Sequence, residues 1–322
     1  MGKIKVSGNG AGTFKEGPDL RVELAGVEFI NPLWVASGTF GYGEEYEDFV
    51  DLSRVGAVVT KTITAYPREG NPPPRVVETP SGLLNSIGLE NKGADDFIER
   101  RAPYLRRKGT KIIASIAGET RDNILECLEK LERAGVCDAY EVNLSCPNVQ
   151  HGGTRRALIA QDAEVSADII KAVKCNTGRP VLAKLTPNVT DITETALAVE
   201  NAGADMISLV NTYMGMAVDI LTRKPLLGNV TGGLSGPAIK PLALKSVWDV
   251  YKSVDLPLSG IGGIMNGEDA AEFFLCGAST VQVGTANLVD PDVYGRILND
   301  FKEILSQQGV SSVKELTGKL ET

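Results

Sequence analysis

The segment Ala134-Gly135-Val136-Cys137-Asp138-Ala139-Tyr140-Glu141-Val142-Asn143-Leu144-Ser145-Cys146-Pro147-Asn148 contains one structural period of the chain. It opens on Ala-Gly at the end of a helical run, with glycine placed for a left-handed C-cap. An apolar strand spans 139–144, and a cluster of Asn, Ser, Cys and Pro then reads as a loop. The same helix end recurs as Ala202-Gly203-Ala204-Asp205 and Cys276-Gly277-Ala278-Ser279, each time just before a strand.

Working outward, the alternation predicts eight strands: 33–37, 57–61, 111–116, 139–144, 180–185, 206–211, 256–260 and 280–284. Helical periodicity predicts segments at 44–52, 94–107, 120–134, 161–174, 192–201, 237–253, 267–275 and 291–307. Strands alternating with helices imply a parallel sheet, and eight units imply a (β/α)8 TIM barrel. A doubly wound sheet is the alternative. Residues 1–20 read as an N-terminal lead-in and 21–322 as a single barrel domain, since no linker of contrasting composition interrupts the units. Two connections, 62–93 and 212–236, are long enough to be functional loops on the active face.

Bulk composition narrows the function. Of 322 residues, 33 are Lys or Arg and 41 are Asp or Glu, a net charge of −8. That balance argues against nucleic-acid binding and gives no basic anchor for a membrane. No run of about 18 uncharged apolar residues is present to span a bilayer, and no apolar run follows Lys3 and Lys5 to form a signal peptide. The five cysteines (Cys127, Cys137, Cys146, Cys175 and Cys276) include no C-x-x-C pair. A disulfide framework, a zinc site or an iron–sulfur site within this chain is therefore not expected, and reduced thiols fit the cytosol. His151 is the one histidine, which nearly excludes a Ser-His-Asp triad or a multi-histidine metal site.

In a barrel, the residues at strand C-termini converge on one mouth. Here they are Ser37, Lys61-Thr62, Ser115, Asn143 with Cys146, Lys184, Asn211-Thr212, Gly262-Gly263 and Gly284-Thr285. Gly260-Ile261-Gly262-Gly263 after the seventh strand and Gly284-Thr285 after the eighth suit a phosphate, because glycines let backbone N–H groups face an anion. Either motif alone would equally be a tight turn. Lys61 and Lys184 suit a carboxylate or an electron-rich ring, although strand lysines often reach outward to solvent. Asn85, Asn143, Asn148 and Asn211 can grip a planar heterocycle through donor and acceptor edges. Taken alone, Cys146 reads more readily as a small buried hydrophobe than as a reactive thiol.

These residues lie in strings that together resemble the FMN-binding catalytic subunit of the dihydroorotate dehydrogenases, from about residue 22 to 305. The strings are ASGTFGYG (36–43), KTIT with GNPPPR (61–75), LLNSIGLEN (83–91), EVNLSCPN (141–148), KLTPN (184–188), NT (211–212), TGGLSGPAIKP (231–241), GIGGI (260–264) and GAST…VGTA (277–286). GNPPPR and TGGLSGPAIKP are most similar to the class 1B type, which uses NAD through a second subunit. The resemblance implies oxidation of (S)-dihydroorotate to orotate in pyrimidine biosynthesis. Cys146 would take the carbon-5 proton while hydride passes from carbon 6 to flavin N5. It further implies that Lys184 stabilises charge on the reduced ring and that Lys61 meets both the substrate carboxylate and the flavin.

By the same resemblance, Asn85, Ser86, Ile87, Gly88, Leu89, Asn143, Asn148, Asn211 and Thr212 bind substrate. Ser37, Lys61, Thr62, Ser115, Asn143, Lys184, Val210, Gly236, Gly262, Gly263, Gly284 and Thr285 match FMN-binding positions. No metal ligand is implied on this chain. A homodimer core with a partner subunit carrying FAD and an iron–sulfur cluster is expected. The family usually has Asn at the position of Ser115, and the Arg155-Arg156 pair replaces a smaller, more apolar stretch. A related flavin enzyme acting on dihydrouracil or dihydrothymine, and a non-redox phosphate-binding lyase or isomerase, are the alternative readings.

Overall fold

A computed structural model describes residues 17–144 and 161–322. Among them, eight parallel strands close into a barrel: β1 (Leu33–Val35), β2 (Ala57–Val59), β3 (Lys111–Ile116), β4 (Ala139–Asn143), β5 (Val181–Lys184), β6 (Met206–Leu209), β7 (Leu258–Ile261) and β8 (Ala278–Val283). Neighbours around the barrel are neighbours in sequence, and β8 pairs with β1 to close it. The runs are buried and rich in Val, Ile, Leu and Ala, as expected of strands covered on both sides. The fold is a (β/α)8 barrel, and all eight expected strands are present. Most end one or two residues earlier than the sequence pattern suggests.

The covering helices are α1 (Ala102–Lys108), α2 (Arg121–Ala134), α3 (Ala163–Cys175), α4 (Ile192–Asn201), α5 (Lys240–Tyr251), α6 (Gly267–Leu275) and α7 (Val293–Gln307). Their ends carry local signals. Thr120, Asp162, Asp191 and Asn266 each accept a hydrogen bond from a backbone N–H in the first turn. Gly135 takes the left-handed C-cap conformation at φ 63°. The interface between strands and helices is aliphatic, with Ile124, Leu128, Ile169, Val199, Val247 and Phe273 buried against the barrel.

Three elements differ from the sequence reading. The helix expected over 44–52 is two short 3-10 turns, Glu44–Tyr46 and Leu52–Arg54. Gly43 precedes the first turn with φ 86°, and Asp51 caps the second through the Ser53 N–H, so the chain folds locally instead of continuing one helix. The helix expected over 94–107 contains a π-helical turn, Phe97–Arg101, immediately before α1. The two long connections are not irregular. They supply Val76–Thr79, Gly82–Asn85, Tyr213–Gly215 and Gly232–Ser235, which pair in an antiparallel four-stranded sheet.

At the other end of the barrel, a hairpin of Val22–Leu24 and Val27–Phe29 precedes β1. The Asp19 N–H donates to the Ser311 carbonyl, which ties the start of the described chain to the segment after α7. No helix among the described residues is long and apolar enough to cross a membrane.

Candidate active site

The barrel strands point their C-terminal ends at a cavity of about 350 Å³, within the usual range for a small-molecule site. The antiparallel sheet contributes Val76, Leu83, Asn85 and Ser235 to its lining. Sequence segments more than 100 residues apart therefore share one enclosure.

Sixteen of the expected site residues line it: Ser37, Lys61, Thr62, Asn85, Ile87, Leu89, Asn143, Lys184, Val210, Asn211, Thr212, Gly236, Gly262, Gly263, Gly284 and Thr285. A chain of polar contacts runs along one wall. Ser37 Oγ lies 3.3 Å from Thr62 Oγ1, the Asn143 amide donates to Thr62 Oγ1 at 3.3 Å, and the Asn211 amide donates to Asn143 Oδ1 at 3.4 Å. Asn85 is oriented by donating to the Gly233 carbonyl at 3.2 Å, and Thr285 donates to Ser235 Oγ at 2.8 Å. Fixed amides of this kind present both donors and acceptors to a flat polar ring.

Three expected residues sit elsewhere. Ser115 is fully buried behind Thr62, with the two hydroxyl oxygens 3.0 Å apart, and it does not reach the cavity wall. Ser86 turns away from the cavity and accepts hydrogen bonds from the side chains of Asn71 and Asn229. Gly88 occupies a tight turn with φ 75°, where an added Cβ would lie 2.6 Å from Asn71. These two residues shape the segment that presents Ile87 and Leu89. Cys146 and Asn148 lie outside the described residues, as does the stretch from His151 to Arg156.

The two lysines have distinct surroundings. Lys61 donates to Glu90 at 2.5 Å, with both side chains partly open to the cavity. That hydrogen bond holds the Glu90 carboxyl below its ordinary range, against a smaller opposing effect of burial. Lys184 is nearly buried and donates to the fully buried Glu141 at 3.3 Å. The sequence reading had not singled out either carboxylate. Glu141 had a legible signal: it is a charge in an apolar strand, two residues before Asn143 and therefore on the same face. Glu90 follows the LLNSIGLEN string's Ile87 and Leu89, but no periodicity marks its orientation.

The glycine loops leave room at the wall. Gly262 and Gly263 have φ 135° and 77°, conformations that L side chains rarely adopt. A Cβ on Gly263 would come within 2.9 Å of the Gly236 carbonyl, so the loop after β7 packs directly on the Gly236 backbone. At Gly284 the nearest side-chain atom to such a Cβ is 3.6 Å away, leaving the cavity side accessible. Bare backbone after β7 and β8, two lysines and paired amides form a donor set that fits a phosphate-bearing flavin together with a polar ring.

Comparison with known proteins agrees with this geometry. A family model described as dihydroorotate dehydrogenase matches residues 19–305. The chain is 50% identical over 304 residues to the dihydroorotate dehydrogenase B (NAD(+)) catalytic subunit of Geobacter sulfurreducens, covering 94% of this chain and 99% of that one. Identity to the subunit of the same name from Desulforamulus reducens is also 50%, over 300 residues, covering 93% and 98%. A solved structure of dihydroorotate dehydrogenase from Eimeria tenella, in complex with ferulenol, superposes with a TM-score of 0.77 at 25% identity and covers 95% of this chain and 90% of its own. The matched barrel, the cavity at its C-terminal end and the near-complete coverage of curated relatives mean that this chain belongs to the dihydroorotate dehydrogenase family of oxidoreductases.

Proposed function

We propose that this chain is the FMN-binding catalytic subunit that oxidises (S)-dihydroorotate to orotate for pyrimidine biosynthesis, passing the electrons to NAD through a partner subunit. The observation that carries the reading is the convergence of Lys61, Lys184, Asn85, Asn143 and Asn211 with the Gly262-Gly263 and Gly284 backbone in one cavity. When bound, FMN supplies the acceptor for the hydride leaving carbon 6 of the substrate.

The chain's own residues hold both molecules. The backbone around Gly236, Gly262, Gly263, Gly284 and Thr285 would hold the phosphate end of FMN, and Ser37, Thr62 and Val210 would hold its ring. Lys184 would supply positive charge to the part of the ring that becomes electron-rich, a preorganised stabilisation that costs no rearrangement during reaction. Asn85, Asn143, Asn148, Asn211 and Thr212 meet the donor and acceptor edges of the pyrimidine, and Ile87 and Leu89 cover it. Lys61 already binds a carboxylate, that of Glu90. Its ammonium has three donors, so it can engage the substrate carboxylate as well. Cys146 acts as the base at carbon 5. An ordinary thiol ionises near pH 8.5, so the site must favour the thiolate to work at neutral pH.

The test uses the purified chain reconstituted with FMN. A flavin spectrum that bleaches anaerobically with dihydroorotate, and not with dihydrouracil, is the expected outcome. A chain that takes up no flavin contradicts the cofactor reading. Selective bleaching by dihydrouracil would instead make the substrate an uncharged dihydropyrimidine.

A further inference from the structure

Beneath the cavity, five barrel strands contribute to one buried polar cluster. Glu141 on β4 is fully buried. Its Oε1 accepts from Lys184 Nζ on β5 at 3.3 Å, and its Oε2 accepts from Ser208 Oγ on β6 at 2.8 Å and from Gln282 Nε2 on β8 at 3.1 Å. Gln282 Nε2 also donates to Ser259 Oγ on β7 at 3.2 Å. Lys184 lines the cavity, whereas Glu141, Ser208, Ser259 and Gln282 lie below the lining. The Gln282 amide is turned so that its nitrogen faces the carboxylate, and its Oε1 has no hydrogen-bond partner. The cluster thus orders its donors around Glu141 even though this leaves a buried acceptor unsatisfied.

A buried ion pair is a weak source of stability, because desolvating both charges offsets most of their attraction. An apolar filling would serve the barrel equally well. What the pair does achieve is to fix where the Lys184 ammonium sits and how much of its charge the cavity feels. We propose that Glu141 is a positioning residue: acting through Lys184 from beneath the cavity, it moderates the positive charge presented to the ring and so sets how strongly the site favours the reduced, electron-rich flavin. This rests on the reading that FMN lies over Lys184.

The experiment measures the two-electron midpoint potential of FMN bound to the reconstituted chain, by reduction against a reference dye. Glu141→Gln keeps the shape of the side chain and removes its charge, and its amide oxygen can still accept from Gln282 Nε2. The expected result is retained FMN with a potential raised by at least tenfold in the reduction equilibrium, about 30 mV for two electrons. In a Lys184→Met background the same substitution should no longer raise it, which separates action through Lys184 from a general structural effect. An unchanged potential in Glu141→Gln, or an equal rise in both backgrounds, overturns the proposal. Ser208→Ala is the second variant should Glu141→Gln fail to fold. Freed from that donor, the carboxylate holds the ammonium more fully, so a smaller negative shift is expected and no shift counts against the role. If the wild-type chain binds no FMN, both readings fall. If it binds FMN and only the shifts are missing, the role of Glu141 alone falls.

Discussion

At the scale of single residues, the proposed mechanism gives Lys61 and Cys146 separable parts of the reaction. Lys61 is partly open to the cavity and pairs with the Glu90 carboxylate. A charge-assisted hydrogen bond contributes about 1.5–3 kcal/mol, and solvent access puts Lys61 toward the lower end of that range. Lys61→Met should therefore raise the KM for dihydroorotate about tenfold or more through the lost carboxylate contact. Cys146→Ala should do the opposite. It leaves the flavin cradle and the amides in place, so FMN should remain bound. Losing a general base slows the proton transfer by roughly 100- to 10,000-fold. Anaerobic stopped-flow reduction at neutral pH measures both effects. Normal reduction in Cys146→Ala would remove the thiol from the mechanism. An unchanged KM in Lys61→Met would move the substrate carboxylate elsewhere.

At the scale of elements, the proposed FMN cradle depends on the loop after β7 staying packed on the Gly236 backbone. At Gly263 a backbone restriction and a close contact act together. Its φ is 77°, and a Cβ there would lie 2.8 Å from the Lys240 Cβ and 2.9 Å from the Gly236 carbonyl oxygen. A side chain must both strain the backbone and push two loops apart, and strained positions of this kind cost about 1–3 kcal/mol each. Gly263→Ala should lower the melting temperature and weaken FMN binding by at least tenfold, as thermal unfolding and flavin titration would show. A variant with wild-type affinity would mean that the loop contact is irrelevant to the cofactor. The same loops show what the sequence made legible. Gly262-Gly263 and Gly284 stand out because glycine has a narrow set of structural uses, and the barrel strands stand out because each is a continuous apolar run. The antiparallel sheet was invisible for the converse reason. Val76–Thr79, Gly82–Asn85 and Gly232–Ser235 are four residues each, too short to establish alternation, and two of them contain the glycines that normally signal loops. Only pairing between remote segments makes them strands. The ion pairs of Glu90 and Glu141 form only because Lys61 and Lys184 arrive from other elements, although the charge of Glu141 in an apolar strand is itself legible.

At the scale of the whole molecule, the proposed function requires an onward path for the electrons that the flavin would receive. Among the described residues, the eight strands and their covering helices, from β1 to α7, build a single closed barrel. The curated relatives bear the name catalytic subunit of an NAD-linked enzyme, and this chain matches 98–99% of the length of two of them. Hydride transfer to NAD requires a site that holds a nicotinamide against a reduced flavin, and the glycine-rich turns here lie at the ends of barrel strands instead of opening a dinucleotide-binding βαβ unit. The five cysteines are dispersed in sequence without C-x-x-C spacing, and the proposed function assigns an iron–sulfur relay to the partner subunit. The FMN-loaded chain alone should thus oxidise dihydroorotate with a small dye as acceptor, yet give no NADH. Adding an electron-transfer subunit that carries FAD and an iron–sulfur cluster should restore NADH formation and leave the dye-linked rate largely unchanged. Absorbance at the NADH band, followed with and without that subunit, distinguishes the cases. NADH formed by the isolated chain would require a nicotinamide site on the barrel itself and would make the second subunit unnecessary for the electron path.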